Sequence, residues 1–580
     1  MPTRAMKRKS FFKSLLWLVA WTAASLPGYA DIKLSGVTSS IKNSISDHLK
    51  GVDFPCDSPA AAASRIQERS DSELNKALQA LGFFRAQYSS DLVFDEKCWR
   101  LSYEITLGEP IMIREANIEL LGAAAPEAAF QELVSAAELG SGAAFSTPRY
   151  EQLKERLQAR GVRQGYFDAK FVEQRVDIYP QLNAADIVLS WDSGERYHYG
   201  EIVIEQSVLE QDLFRDLLSL NPDDPYDLVL LQNDRIRLSE SRYFGSVEIT
   251  PLLDQVHDGQ VPIQVSGTKG SRASYQVGVG YSTDTGARLR GDYKRHLINS
   301  RGHQGGVKLL LSQALTTLNL NYKIPWRDPR TDSLRADLSY LDEDNDSFES
   351  ERWEASITDS LVRASGWSQS VFVTLSTENS VIADEEDSFV LLVPGISWSR
   401  ISADNLVYPN KGYAVSLELS GSYEGLVSDS SFAQVETSAK WIKALPYGLR
   451  LLVRGNLGFT LVDSLDDLPA SRRFFSGGDN SIRGYDYQSL GPEEDGEVVG
   501  GRHVAVASIE VEHAVYKKWS VAAFVDGGNA WDEGSFDPAV GVGLGLRWRS
   551  PIGPLRFDIG VPLEDTDDDF RVHLSFGPEL

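Results

Sequence analysis

From about Ala273 onward the chain alternates apolar and polar residues almost one by one. Val542, Leu544, Leu546 and Trp548 interleave with Gly543, Gly545, Arg547 and Arg549. Tyr275, Val277, Val279 and Tyr281 interleave with Gln276, Gly278 and Gly280; Val572, Leu574 and Phe576 interleave with Arg571, His573 and Ser575. Period two sends successive side chains to opposite faces, so these runs predict strands with one apolar face and one polar, glycine-rich face. Such runs predict sixteen strands of about ten residues, with aromatics near their ends. That pattern fits an antiparallel membrane barrel with lipid outside and a polar lumen. A soluble sandwich would bury the apolar face against a second sheet instead. An even number of strands returns the chain to its side of entry.

Before Ala273 the pattern changes. Leu81-Gly82-Phe83-Phe84, Gln164-Gly165-Tyr166-Phe167 and Ser241-Arg242-Tyr243-Phe244-Gly245 each follow a helical run and precede two strand-like runs. Each unit opens on a strand: Ile32-Lys33-Leu34, Ile118-Glu119-Leu120, Ile202-Val203-Ile204. Three copies of a strand–helices–strand–strand unit of about 80 residues follow. The expected limits are 31–109, 110–194 and 195–268, with a barrel over 269–580. The aromatic pair is expected to plug each helix-to-sheet core. A small mixed sheet leaves an edge strand able to accept another chain's strand.

The connections have an expected polarity. Turns after even strands, such as Ala364-Ser365-Gly366, Pro446-Tyr447-Gly448 and Ser550 to Pro554, are short and predicted periplasmic. Loops after odd strands are predicted longer and extracellular: Asp342 to Glu351, Ala383 to Asp387, and Glu564 to Asp569. The longest, after strand eleven, carries Arg472 to Tyr485 with Ile482-Arg483-Gly484-Tyr485 at its tip. A loop of that length inside a compact domain is usually functional.

Charge and composition narrow the class. With 57 basic and 83 acidic residues the net charge is -26, which argues against a nucleic-acid partner. Lys7-Arg8-Lys9, an apolar run to Ala24 and the small residues Gly28 and Ala30 form a secretory signal over 1–30. Cys56 and Cys98 fall in one repeat of a chain bound for an oxidising compartment, so a disulfide is expected. Asp342, Asp344 and Asp346 open like a calcium loop, but Ser347 and Trp353 occupy the positions that need Gly and Glu. There is no metal-spaced His or Cys set and no nucleophile elbow. Neither a cofactor nor an enzymatic activity is expected.

The combination of signal, repeats, sixteen-stranded barrel and the Ile482-Arg483-Gly484-Tyr485 tip resembles the outer-membrane assembly family of BamA and TamA. The number of polypeptide-transport-associated (POTRA) repeats is similar to that of its TamA-type branch. Phe524-Val525-Asp526-Gly527-Gly528 and Glu510 match family positions on strands thirteen and twelve, and Asp404, Pro409 and Gly412 match a family turn. The resemblance implies that Arg483 lies in the lumen, anchored by Glu510, Phe524, Asp526 and Gly528. It implies an outer-membrane location with periplasmic repeats, a TamB-like inner-membrane-anchored partner, unfolded outer-membrane or autotransporter clients, and contact with outer-membrane lipids. A two-partner secretion pore and a lipid conduit are the rival readings. The sequence itself predicts a weak seam between first strand and last. Gly278 and Gly280 weaken the first strand, Ala273 to Ser282 with Tyr275 and Val277, by removing side-chain packing, while the last, Phe570 to Phe576 with Val572, Leu574 and Phe576, is short and ends before Gly577-Pro578. That clients enter at this lateral gate is what the resemblance implies.

Overall fold

The computed structural model describes residues 30–577 except 53, 96–97, 384, 426, 535, 551–552 and 565–568. The expected signal therefore lies outside the described residues, Ala30 apart. The chain divides into two compact units. The first holds residues up to Glu201 with two short segments of the third repeat; the second holds the rest of that repeat and the barrel.

All three repeats follow one plan. In the first, strand Asp31–Ser35 leads into helices Ser39–Leu49 and Ala60–Ala80 and then into the hairpin Gln87–Asp95 and Cys98–Thr106. The last strand takes the centre, parallel to the first and antiparallel to its hairpin mate. Leu101, Tyr103 and Ile105 explain this placement. They alternate on one face, are nearly inaccessible, and pack on Leu74, Ala77 and Leu78 of the long helix. Strand Ala184–Asp192 is central in the second repeat and Gln260–Lys269 in the third. Cys56 and Cys98 are joined, tying the segment between the helices to the central strand.

The aromatic pairs divide their work, where one core per pair was expected. Tyr166 lies in the second repeat's own core, bonded through its hydroxyl to Glu127. Phe167 turns away and packs edge-on against Tyr197 and Tyr226 of the following segment. Likewise Phe83 packs in the first core and Phe84 against the second. In the first two repeats the second aromatic is thus a joint to the segment that follows. In the third repeat Phe244 enters the core against Phe214, and the buried Tyr243 hydroxyl donates to Gly302 O at 2.7 Å, in the turn after the second barrel strand.

The barrel closes from sixteen antiparallel strands in chain order. Two expectations about it require correction. Several strands are much longer than ten residues: Phe348–Val362 and Ser368–Ile382 have 15 each and Glu385–Ala403 has 19. As a result two acidic segments expected as loops are mostly strand. Asp342 and Glu351 are paired across a ladder, as are Val381 and Glu386, and among the described residues Asn345–Ser347 and Ala383 are left between the strands. Carboxylates on a tall strand wall read like loop because the apolar alternation fades beyond the membrane. The third acidic segment, Glu564 to Asp569, lies mostly outside the described residues, as do Pro551 and Ile552 of the turn expected at Ser550 to Pro554.

Candidate functional site

The loop over 462–502 runs from the eleventh barrel strand, Leu449–Leu461, to the twelfth, His503–Tyr516. It folds back into the barrel. Ile482 is inaccessible and Tyr485 buried, both packed with Val504, Val506, Ala530 and Ala539 of strands twelve to fourteen. Gly484 sits at φ +107°, and a Cβ there would lie 3.0 Å from Pro562 N. Only glycine combines that conformation with that approach.

These contacts hold Arg483 in a buried set of carboxylates. Its Nε and Nη2 donate to the two oxygens of Asp526 at 2.7 and 2.9 Å. Its Nη1 donates to Glu510 at 2.6 Å and reaches Asp558 at 3.3 Å. The guanidinium carbon lies 3.4 Å over the Phe524 ring. A bidentate Arg–carboxylate pair with an aromatic floor is the geometry that compensates a buried guanidinium. Three expected anchors, Glu510, Phe524 and Asp526, are therefore brought together. Gly528 acts differently: at φ +149° a Cβ would stand 2.1 Å from Ala505 O, so its contribution is the path of the strand itself.

The charge network extends beyond those residues. Arg547 on the fourteenth strand, Ala539–Ser550, donates to Glu510 at 2.8 Å and to Asp558 at 2.6 Å, and lies 3.5 Å from Glu512. Glu512 accepts from Arg450 at 2.6 Å and from the Tyr408 hydroxyl at 3.1 Å. Arg450 stacks 3.8 Å over Tyr408 and donates to Pro409 O at 2.8 Å. Tyr408 and Pro409 belong to the turn after strand eight. Asp404 shapes that turn by accepting from Asn410 and Lys411 N–H at 2.9 and 3.2 Å. A continuous run of buried charges thus joins that turn to the loop tip. Lumen-facing parity marks Arg547 and Asp558 as polar, but no sequence signal tells which lumen charges meet across a sheared barrel.

The contact between the first and last strands is short. The first strand, Ala273–Ser282, pairs along its whole length with the second. Toward the last strand, Arg571–Phe576, its ladder has one register pair, Ser282 with Ser575. Thr283 N–H donates to Leu574 O at 3.3 Å. Among the described residues, Ala273–Tyr281 has no strand partner on that side. Tyr275, Val277 and Val279 are 76–78% exposed, more than the other large apolar residues described in the barrel strands. Gly278 would admit a Cβ, whose nearest neighbour would be the Arg290 side chain at 3.9 Å. Space therefore does not demand glycine there. Val572, Leu574 and Phe576 pair with Ile559, Phe557 and Leu555 on the other side.

Asp284, Asp479 and His573 each bring one ligand atom within 4.8 Å of the others. Both His573 nitrogens are already engaged, by Gly484 N–H and by Asp479.

Residues 298–578 match the model of the Omp85 superfamily domain. Residues 31–107 match that of the first POTRA domain of TamA. The chain is 24% identical over 435 residues to the outer membrane protein assembly factor BamA of Nitratidesulfovibrio vulgaris, covering 70% of this chain and 53% of that protein. It is 22% identical over 477 residues to BamA of Neisseria meningitidis, covering 69% and 59%. The chain thus spans a little over half the length of the curated relatives it matches. The crystal structure of BamA from Haemophilus ducreyi lacking POTRA domains 1–3 is similar in fold, with TM-score 0.67 at 19% identity over 80% of this chain and 99% of that one. The barrel thus matches the Omp85 superfamily domain and the first repeat a POTRA domain of TamA, which makes the chain similar to the outer-membrane assembly proteins of that superfamily.

Proposed function

We propose that this protein inserts or translocates outer-membrane clients through the seam between its first and last barrel strands. The observation that carries the reading is the nine-residue edge Ala273–Tyr281, which lacks a ladder partner on its seam side among the described residues. An unpaired edge at membrane depth is costly, and a client strand that pairs with it removes that cost. The buried loop supports the same reading, because a filled lumen makes a poor passive pore. Autotransporter-type chains are the client class, and a TamB-like, inner-membrane-anchored chain is the partner. The partner docks by strand addition on the repeats, where Val93 and Phe94 of edge strand Gln87–Asp95 are exposed.

Cysteines at Ser282 and Ser575, in a background lacking Cys56 and Cys98, test the seam. The locked barrel should stop assembling clients and recover on reduction; assembly at the normal rate in the locked state would sink the proposal. Deleting Asp31 to Glu109 should abolish co-purification of the partner while leaving a heat-modifiable barrel.

A further inference from the structure

The lumen loop touches both sides of the seam through one residue outside its tip. Asp479 is buried. Its Oδ2 accepts from the Ser282 hydroxyl at 2.8 Å and its Oδ1 from the Thr283 hydroxyl at 2.9 Å, both at the end of the first strand. Its backbone N–H donates to Asp284 at 2.8 Å. On the other side of the seam, His573 Nδ1 lies 2.6 Å from Asp479 Oδ1. His573 Nε2 accepts from Gly484 N–H at 2.9 Å, which leaves the ring proton on Nδ1 to be donated to Asp479. Arg571, at the start of the last strand, pairs with Asp486 just beyond the tip.

We propose that Asp479 is a latch that holds the seam shut, and that the loop thereby regulates the gate. The ladder between first and last strands offers a single register pair, so its own bonds are few. Asp479 adds side-chain bonds to both partners, and a carboxylate acceptor makes each stronger than a neutral one. Its position explains why the barrel stays closed over so short a contact. The seam cannot part while Asp479 keeps Ser282, Thr283 and His573. A client that adds to the free edge must therefore also draw Asp479 off one side. Arg483 and Asp479 have separate duties: the first fixes the loop to strands twelve to fifteen, and the second ties strands one and sixteen to the loop.

The inference rests on the seam being the working edge, but its test needs no client. Spin labels at Val279 and Val572, both facing lipid and outside the latch, report the seam distance in the full-length protein in lipid. The parent should give one narrow short-distance population. Asp479→Ala should raise the long-distance population about tenfold, the change expected from losing a hydrogen bond to a charged group. Resistance to extracellular protease near Gly484 should persist, because Arg483 still anchors the tip. Ser282→Ala, which removes one bond and leaves the loop unchanged, should give a smaller rise. A parent-like distance distribution in a folded Asp479→Ala barrel overturns the latch. So does a rise that appears only together with cleavage at Gly484. If Asp479→Ala gives no heat-modifiable barrel, Ser282→Ala decides: a parent-like distribution there overturns the proposal. Failure of client assembly with a normal latch response would instead count against the assembly reading alone.

Discussion

At the scale of single residues, Arg483 has the largest energetic stake. Removing it deprives the buried Asp526 of its two-pronged partner and leaves Glu510 with Arg547 alone of its two guanidinium partners, a loss of about 3–5 kcal/mol. Arg483→Ala should free the tip, and extracellular protease should then cut near Gly484. Arg483→Lys keeps the charge but loses the two-pronged contact with Asp526 and the flat stacking on Phe524, so it should be cut at an intermediate rate. Arg450 and Arg483 share a chain of partners through Glu512, Arg547 and Glu510. Their alanine variants should therefore be non-additive, by about 0.5–3 kcal/mol, when the shift in heat-modifiability is compared across a double-mutant cycle. Strict additivity would mean that the run of charges is not energetically connected. Glu510, Phe524 and Asp526 could be foreseen because strand parity places them on the lumen face and a known motif names them. Asp479 and His573 could not. Asp479 sits among glycines in an aperiodic loop, and His573 looks like any polar residue of an alternating strand.

Single elements depart from expectation where the surrounding medium changes. Inside the membrane, period two is enforced by lipid, and the first and last strands were legible nearly to the residue. Above it both faces are polar, so the long strands through Asp342–Asp344 and Glu385–Asp387 were indistinguishable from loops. In the repeats, helix and strand patterns were legible from a single chain, but the turning-out of Phe167 toward Tyr197 and Tyr226 was not, since periodicity is silent on joints. The disulfide closes a span of 42 residues and should stabilise the first repeat by roughly 4 kcal/mol on the chain-entropy model. Reduction should make that repeat the first part of the protein digested by a periplasmic-side protease, with the barrel band unchanged. Alkali should loosen the repeats as well. Burial, then the charge of Asp227, raises Tyr226 to about 12, and burial raises Tyr243 to about 12. An unfolded phenol ionises near ~10. The stability these two contribute is complete below that pH and disappears as pH rises from about 10 to about 12. Tyrosinate absorbance and loss of helical circular dichroism should therefore rise together across that window.

For the whole molecule, the barrel has the logic of a nearly closed ring with a filled centre. Conductance in planar bilayers should be small and rare in the parent, and larger and frequent in Arg483→Ala; a large steady conductance in the parent would favour a passive channel. The inward loop also constrains the order in which the protein can be made. Arg483 needs carboxylates from strands twelve, thirteen and fifteen, and Asp479 needs residues of strands one and sixteen. A ring sealed beforehand would have to thread 462–502, with its charges, through a finished mouth. The sheet must instead curl around a loop already seated, and the seam is the last joint to form during birth of the molecule. The joint proposed to open for a client would then be the one this protein closed last when it was itself a client.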